Sequence, residues 1–407
     1  MKTLLEKTLI SVASALICLS VYCQDINHSF RPGQVWPDNE GKHINAHGGG
    51  IIFYNDTYYW FGEYRLPRLE KDKSHYGVSC YSSKDLLNWK NEGLALRVIN
   101  DTTSLLNQGC VIERPKVIYN KMTGKFVMWF HHELKGQGYK AALTGVAVSD
   151  NITGPYKYIR SLRPNTGVWP LNFPEEYKKT IIKDGDLKSW SDEWKIAVRE
   201  GLFVRRDFAG GQMSRDMTIF VDKDGKAFHI HAAKENMTLH FSELTDDYLD
   251  FTGRYIRVLP GESNEAPAIF FTKGKYFMFT SGTTGWKPNP VRLAVAKKFF
   301  GEWKSIGNPC RGTENENKIS FGSQSTYILP VEDKKNAFIY MGDRWNPDNL
   351  ADSRHIWLPI EWQKGNPIIK WYPNWNPGKL AAISRELPGI VASQAFLILN
   401  ISAILQI

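Results

Sequence analysis

Cysteine is scarce in this chain: five among 407 residues, with Cys18 and Cys23 inside the first 24. The other three, Cys80, Cys110 and Cys310, cannot all pair and show no C-x-x-C spacing. A disulfide scaffold and a cysteine-ligated zinc site are both excluded. Basic charge is not gathered in blocks either. The formal net charge of +9 is spread along the chain, so nucleic acid is not an expected partner. Charge disappears altogether from Leu387 to Ile407, a stretch ending "FLILNISAILQI". That tail reads as a closing strand, a membrane-seeking segment or the product of an altered reading frame, and it is given no function.

The excess is in aromatic residues: 13% Phe, Trp and Tyr, with 14 Trp, in an otherwise ordinary composition of 42% hydrophobic and 23% charged residues. Rings in that number suit a β-rich core, or a pocket that stacks flat ligands such as sugars. The N-terminus carries an export signal. Lys2 and Lys7 precede an apolar run from Leu9 to about Val21, which is short for a membrane span. Residues 1–23 are expected to be removed, leaving a secreted or periplasmic protein. Lipid anchoring at Cys23 is the less favoured alternative, because bulky Tyr22 stands where a lipoprotein signal wants a small residue.

The stretch "YNDTYYWFGE" (54–63) is a tight polar turn followed by an aromatic run. It recurs as "KMTGKFVMWFHHE" (121–133), "DKDGKAFHIHAAKE" (222–235), "TKGKYFMFTSGTT" (272–284) and "DKKNAFIYMGDRW" (333–345). Each copy follows a short apolar run: "GGGIIFY", "RPKVIYN", "MTIFVDK", "APAIFFT" or "STYILPV". The unit reads as strand, turn, strand. Further strand-like segments come after it, such as "YGVSCYSS" (76–83), "TGVAVSD" (144–150), "TLHFSEL" (238–244) and "RLAVAKK" (292–298). From the turns at Asn55, Gly124, Gly225, Gly274 and Asn336, the intervals are 69, 101, 49 and 62 residues. About four strands fit in each, which predicts an all-β, five-bladed β-propeller over residues 24–386. A β-sandwich with irregular hairpins is the alternative. The long interval holds an insertion, roughly 161–212. Its "FPEEYKK" and "WSDEWKIAVRE" read as short helices that either cap one side of a pocket or decorate the rim.

One register repeats at the mouths of the leading strands. His47 stands four residues before Ile51, Glu113 before Val117, Glu265 before Ile269, Gln324 before Ile328, and Arg215, with Asp216 beside it, before Ile219. In a propeller these entries face one another across the central axis. Carboxylates gathered there must be paired or protonated, so the set points to function.

The motifs "INAHGGGIIFYNDTYYWFGE", "ERPKVIYN", "SRDMTIFVDKDGK", "NEAPAIFFTKGKYFMFTSGTTGW", "SQSTYILPV" and "MGDRWNPDNLADSRHIWLPI" resemble glycoside hydrolase family 43, most of all its exo-β-1,3-galactanase-like branch. The likeness runs from about Asn45 to Trp371. It implies a five-bladed propeller that hydrolyses glycosidic bonds with inversion. Such a site needs an acid at the leaving oxygen and a water on the opposite face, with the two assisting groups roughly 6.5–9.5 Å apart. The family's usual water-activating Asp would fall at about Gly48, where no carboxylate stands. The galactanase-like branch places a Gln in that role, which matches Gln324, either orienting the water or acting through an imidic tautomer. The resemblance makes Glu265 the general acid and Asp216 the carboxylate that modulates it. Glu113 becomes a second modulator or a sugar ligand. Glu63, Tyr139, Asn236 and Thr284 fall around the terminal sugar, and Trp286 or Trp345 stacks on it. His47 is a candidate sugar or ion contact, but it is not assigned as a metal site. No cofactor, metal or obligate protein partner is expected; the partner is an oligo- or polysaccharide, β-1,3-galactan first. An α-L-arabinofuranosidase or galactofuranosidase on the same fold, and a non-catalytic carbohydrate-binding propeller, remain as alternatives.

Overall fold

Alternating side chains and tight turns give strands, and the strands assemble in chain order. In the computed structural model of the protein, residues 26–66, 76–233 and 235–383 are described; the expected leader and the apolar tail from Leu387 lie outside them. Five four-stranded antiparallel sheets follow one another. The first holds β1 (His47–Tyr54), β2 (Thr57–Tyr64), β3 (Gly77–Ser83) and β4 (Lys90–Arg97). The second runs from β5 (Val111–Asn120) and β6 (Lys125–Glu133) through β7 (Leu143–Ser149) to β8 (Lys157–Leu162). The third holds β9 (Met217–Val221), β10 (Ala227–Ala233), β11 (Thr238–Leu244) and β12 (Phe251–Val258). The fourth holds β13 (Glu265–Thr272), β14 (Lys275–Ser281), β15 (Arg292–Ala296) and β16 (Lys304–Gly307). The fifth holds β17 (Gln324–Pro330), β18 (Phe338–Arg344), β19 (Arg354–Gln363) and β20 (Asn366–Ile369). The leading strands β1, β5, β9, β13 and β17 neighbour one another in turn, and β17 returns to β1. The molecule is a five-bladed β-propeller.

Turn chemistry explains the hairpins. Between β1 and β2 only Asn55 and Asp56 intervene, both left-handed at φ 46° and 55°. That is the turn whose twist matches the strands it joins. Lys273 and Gly274 repeat it in the fourth blade, at φ 51° and 75°.

Most seams between blades are apolar. Phe228, Ile230 and Phe241 of the third blade pack with Ile269 and Met278 of the fourth. The seam between the third blade and the second is mixed: Met217, Ile219 and Leu244 cluster with Val127 and Trp129, while His229, His231, His240 and Ser242 are fully buried beside them. Thr144 Oγ1 lies 2.9 Å from His229 Nε2, and the Trp129 ring lies edge-on to the His229 ring. The inserted segment helps to cover this seam, with Asn165 Nδ2 donating to Ser242 Oγ at 2.8 Å. Its helices are α1 (Glu175–Lys178), α2 (Asp192–Arg199) and α3 (Leu202–Arg206). The Ser191 side chain caps α2 by accepting the Trp194 N–H, with Asp192 and Glu193 in the first turn and Arg199 in the last. The buried side of α2 and α3, with Trp194, Val198 and Phe203, packs on Met237 of the third blade.

Among the described residues the first and fifth blades share no strand. Residues 30–44 bind them: Phe30 pairs with Trp375, Gly33 N–H donates to the His355 carbonyl, and His355 Nε2 donates to the Ile44 carbonyl. Trp36 packs between Trp60 of β2 and Trp357 of β19. Cys80, Cys110 and Cys310 are buried free thiols. No helix among the described residues is long and apolar enough to cross a membrane.

Candidate active site

Four leading strands break register at their mouths. β17 does so between Ser325 and Tyr327; the other three share one pattern: β1 between His47 and Gly50, β5 between Glu113 and Lys116, β13 between Glu265 and Ala268. In each of these three, the residue after the predicted site position is left-handed: Gly48 at φ 62°, Arg114 at 56°, Ala266 at 52°. A bulge of this kind re-aims the side chain beside it. It also turns one backbone N–H sideways, and in all three a carboxylate of the preceding blade accepts it. Gly48 N–H donates to Asp343 Oδ2 at 2.6 Å, Arg114 N–H to Glu63 Oε1 at 3.0 Å, and Ala266 N–H to Asp216 Oδ2 at 3.1 Å. A left-handed backbone costs an L-residue roughly 1–2 kcal/mol. A hydrogen bond to a charged group contributes about 1.5–3 kcal/mol, enough to hold the strained form.

The mouths of β5, β9, β13 and β17 open on one cleft of about 280 Å³. Glu63, Glu113, Tyr139, Asp216, Asn236, Glu265, Trp286, Gln324 and Trp345 line it, together with Arg114, His131, Arg215 and Gly285. Thr284, expected near the sugar, is outside: it is exposed, and its hydroxyl donates to the Lys287 carbonyl, closing a local turn. His47, expected to face the axis with the other entries, is fully buried and does not line the cleft. Its Nδ1 lies 3.3 Å from Asp343 Oδ1, and its ring stacks on His355. Burial and the neighbouring His355 push it down to about 4. No residue of the insertion lines the cleft.

Glu265 stands between groups of both signs. Burial, then the charge of Asp216, push its carboxyl up to about 8, against Arg114 and Arg215. Asn236 Nδ2 donates to its Oε1. Such a carboxyl carries its proton at neutral pH and can deliver it.

The Gln324 amide is locked. Its Oε1 accepts from Arg114 Nη2 at 2.6 Å and from the Trp345 indole at 2.9 Å; its Nε2 donates to Ser281 Oγ at 2.9 Å. Arginine and the indole N–H can only donate, so the oxygen is the atom that faces them. Both its lone pairs are then used, and the nitrogen is what remains for a ligand.

Glu113 receives the Tyr139 hydroxyl on Oε1 at 2.8 Å and faces His131 Nδ1 through Oε2 at 3.1 Å. The other nitrogen of His131 faces Glu133 at 2.9 Å. Burial opposes a charge on that ring, but the two carboxylates win and hold the imidazolium up to about 9. Glu63 is at the cleft wall yet only 1% exposed. One oxygen accepts Arg65 Nε and Nη2 and the other the Arg114 N–H, so it braces the wall from behind. Trp286 and Trp345 meet edge to face at 5.1 Å.

Sequence reasoning passed over Arg114 and His131. The motif "ERPK" displayed Arg114 beside Glu113, and a charge inside a strand otherwise buried was the available signal. For His131 the signal was "HHE", a polar end to an aromatic strand.

The description Glycosyl hydrolases family 43 matches residues 183–367. No curated protein matches the chain. Among solved structures, a GH43 β-1,3-galactosidase with galactodeoxynojirimycin is 52% identical, with a TM-score of 0.82, over 85% of this chain and 100% of that one. An exo-β-1,3-galactanase from Clostridium thermocellum is 34% identical, with a TM-score of 0.69, over 85% of this chain and 66% of that one. An exo-β-1,3-galactanase from Phanerochaete chrysosporium, in a structure with β-1,3-galactotriose, is 30% identical, with a TM-score of 0.68, over 87% of this chain and 69% of that one.

Proposed function

The chain belongs to glycoside hydrolase family 43 and is a glycoside hydrolase, and from that premise we propose that it removes galactose from the chain end of β-1,3-galactan with inversion. The observation that carries the reading is Glu265, a carboxyl held protonated beside Asp216, in one cleft with the locked amide of Gln324. The solved relatives named as β-1,3-galactosidases and exo-β-1,3-galactanases support the substrate.

In this reading Glu265 gives its proton to the glycosidic oxygen as the bond to the anomeric carbon breaks. The ring then carries oxocarbenium character, which makes even an unassisted water an adequate nucleophile. Gln324 holds that water through Nε2, because its oxygen is closed off by Arg114 and Trp345. The water adds to the opposite face and its surplus proton passes to solvent, leaving an inverted galactose and a shortened chain. Burial, and then the charge of Asp216, keep Glu265 protonated. Glu113, fixed by Tyr139 and His131, accepts a sugar hydroxyl. We assign the first 23 residues to export, which would place the enzyme outside the cytoplasm.

Incubation of the pure protein with β-1,3-galactobiose and with an aryl arabinofuranoside, followed by NMR of the first-formed anomer, tests this. Release of α-galactose from the disaccharide is expected. Arabinose as the sole product would make it an arabinofuranosidase. Tight binding without any sugar released would make it a lectin-like propeller.

A further inference from the structure

Two tryptophans among the described residues are exposed. Trp286, at 37%, lines the cleft; Trp190, at 61%, stands on the inserted segment. The Trp190 backbone is left-handed, at φ 71°. Glycine or asparagine takes that conformation readily and a bulky side chain does not. Water contact also favours a polar residue there. Neither folding nor solubility therefore selects tryptophan at this position. The indole does one structural job: it precedes the α2 cap and packs on Trp194 in the first turn, at 5.3 Å. Leucine would serve that purpose as well.

We propose that Trp190 is a second, non-catalytic binding platform for the galactan chain. The inference rests on the hydrolase reading above, and it extends the substrate contact beyond the cleft. Position supports it. Trp194, beneath Trp190, shares a buried cluster with Met237. Met237 follows Asn236, which lines the cleft and donates to Glu265. The platform is thus a few side chains from the acid. A flat exposed indole suits the C–H face of a pyranose. The adjoining charges, Lys188 and then Asp192 and Glu193, are of mixed sign, which fits a neutral polymer better than an ionic one.

Affinity electrophoresis through gels containing soluble β-1,3-galactan tests the proposal, run in the Glu265→Gln background so that the polymer stays intact. The parent should be retarded by galactan and not by β-1,4-xylan. Trp190→Ala, Trp190→Leu and Trp190→Gly should each lose most of that retardation. In the otherwise wild-type enzyme, the same three changes should cut the rate on dilute galactan severalfold and leave kcat and KM on β-1,3-galactobiose unchanged. Trp190→Leu keeps an apolar contact on Trp194 and Trp190→Gly relaxes the backbone, so Tm should hold in the first and hold or rise in the second. Undiminished retardation in the Leu and Gly variants, or equal retardation by xylan, overturns the platform. Galactan retention with no cleavage of galactobiose by the wild type would sink the hydrolase reading and leave the platform standing.

Discussion

Arg114 Nη2 reaches two acceptors at once, Asp216 Oδ2 at 3.0 Å and Gln324 Oε1 at 2.6 Å. One cation therefore touches both halves of the proposed chemistry. It holds the amide in place, and it restrains the rise that burial and Asp216 impose on Glu265. Activity needs Glu265 protonated, so kcat/KM on β-1,3-galactobiose should fall as pH rises through about 8. Arg114→Met removes the restraint, so that limb should move to higher pH while the plateau drops. Arg114→Lys keeps the charge and loses the fork, so its limb should stay near wild type with a lower plateau. A lesion confined to packing would lower the plateau and leave the limb in place in both. The same carboxyl weakens the fold. Its folded value lies above the unfolded one of about 4.3, so stability is full below that pH and is lost as pH rises toward 8. Each pH unit in that window costs on the order of 1.4 kcal/mol. Glu265→Gln should therefore unfold at a higher temperature than wild type at pH 7, while losing roughly 10²–10⁴-fold in rate on unactivated substrate. A lower Tm would mean that Glu265 is ionised in the folded protein.

At the scale of strands, the repeated device is a bulge whose left-handed residue is tied to the blade before it. Gly48, about where the resemblance would put the family's usual Asp, has no room for a side chain. A Cβ on Gly48 would lie 2.2 Å from Glu63 Oε1, and its φ of 62° already disfavours any side chain. Gly48→Ala should cost about 1–3 kcal/mol from backbone strain alone, and more from that clash, read as a lower urea midpoint at unchanged slope. A variant as stable as wild type would show that Glu63 can swing aside. The strands were legible because a period of two and an Asn-Asp or Lys-Gly turn are local facts. The bulges were not, because what stabilises them is a carboxylate some 50 to 300 residues away, as with Asp216 for Ala266 and Asp343 for Gly48. His47 illustrates the consequence: it shares the register of Glu113 and Glu265, yet Asp343 draws it inward. Arg114 was obscured for the same reason, since the partners of its side chain lie in the third and fifth blades.

For the whole molecule, the fold class followed from counting similar hairpins, but the way the ring closes did not. Among the described residues the strands of each blade are consecutive in the chain, and no strand from one end completes a sheet at the other. Closure rests instead on residues 30–44 where the first and fifth blades meet: backbone bonds join Phe30 to Trp375 and Gly33 to His355, and Trp36 lies edge-on to Phe30 and Trp357 and donates its indole N–H to the Leu87 carbonyl. The bond from Gly48 to Asp343 crosses the same seam, and Asp343 pairs in register with Gln324. Loosening the seam should therefore disturb the site before it unfolds the ring. Trp36→Ala should cost about 3–5 kcal/mol, as truncations of packed tryptophans do. In urea, its activity should vanish at a lower concentration than its tryptophan fluorescence changes. Trp303→Ala is the control: Trp303 packs on Phe241 at 5.2 Å, in the seam between the third and fourth blades. It should lose similar stability with both transitions coincident. Coincident transitions in Trp36→Ala as well would mean that the ring melts as one unit, with the closing seam no weaker than the rest.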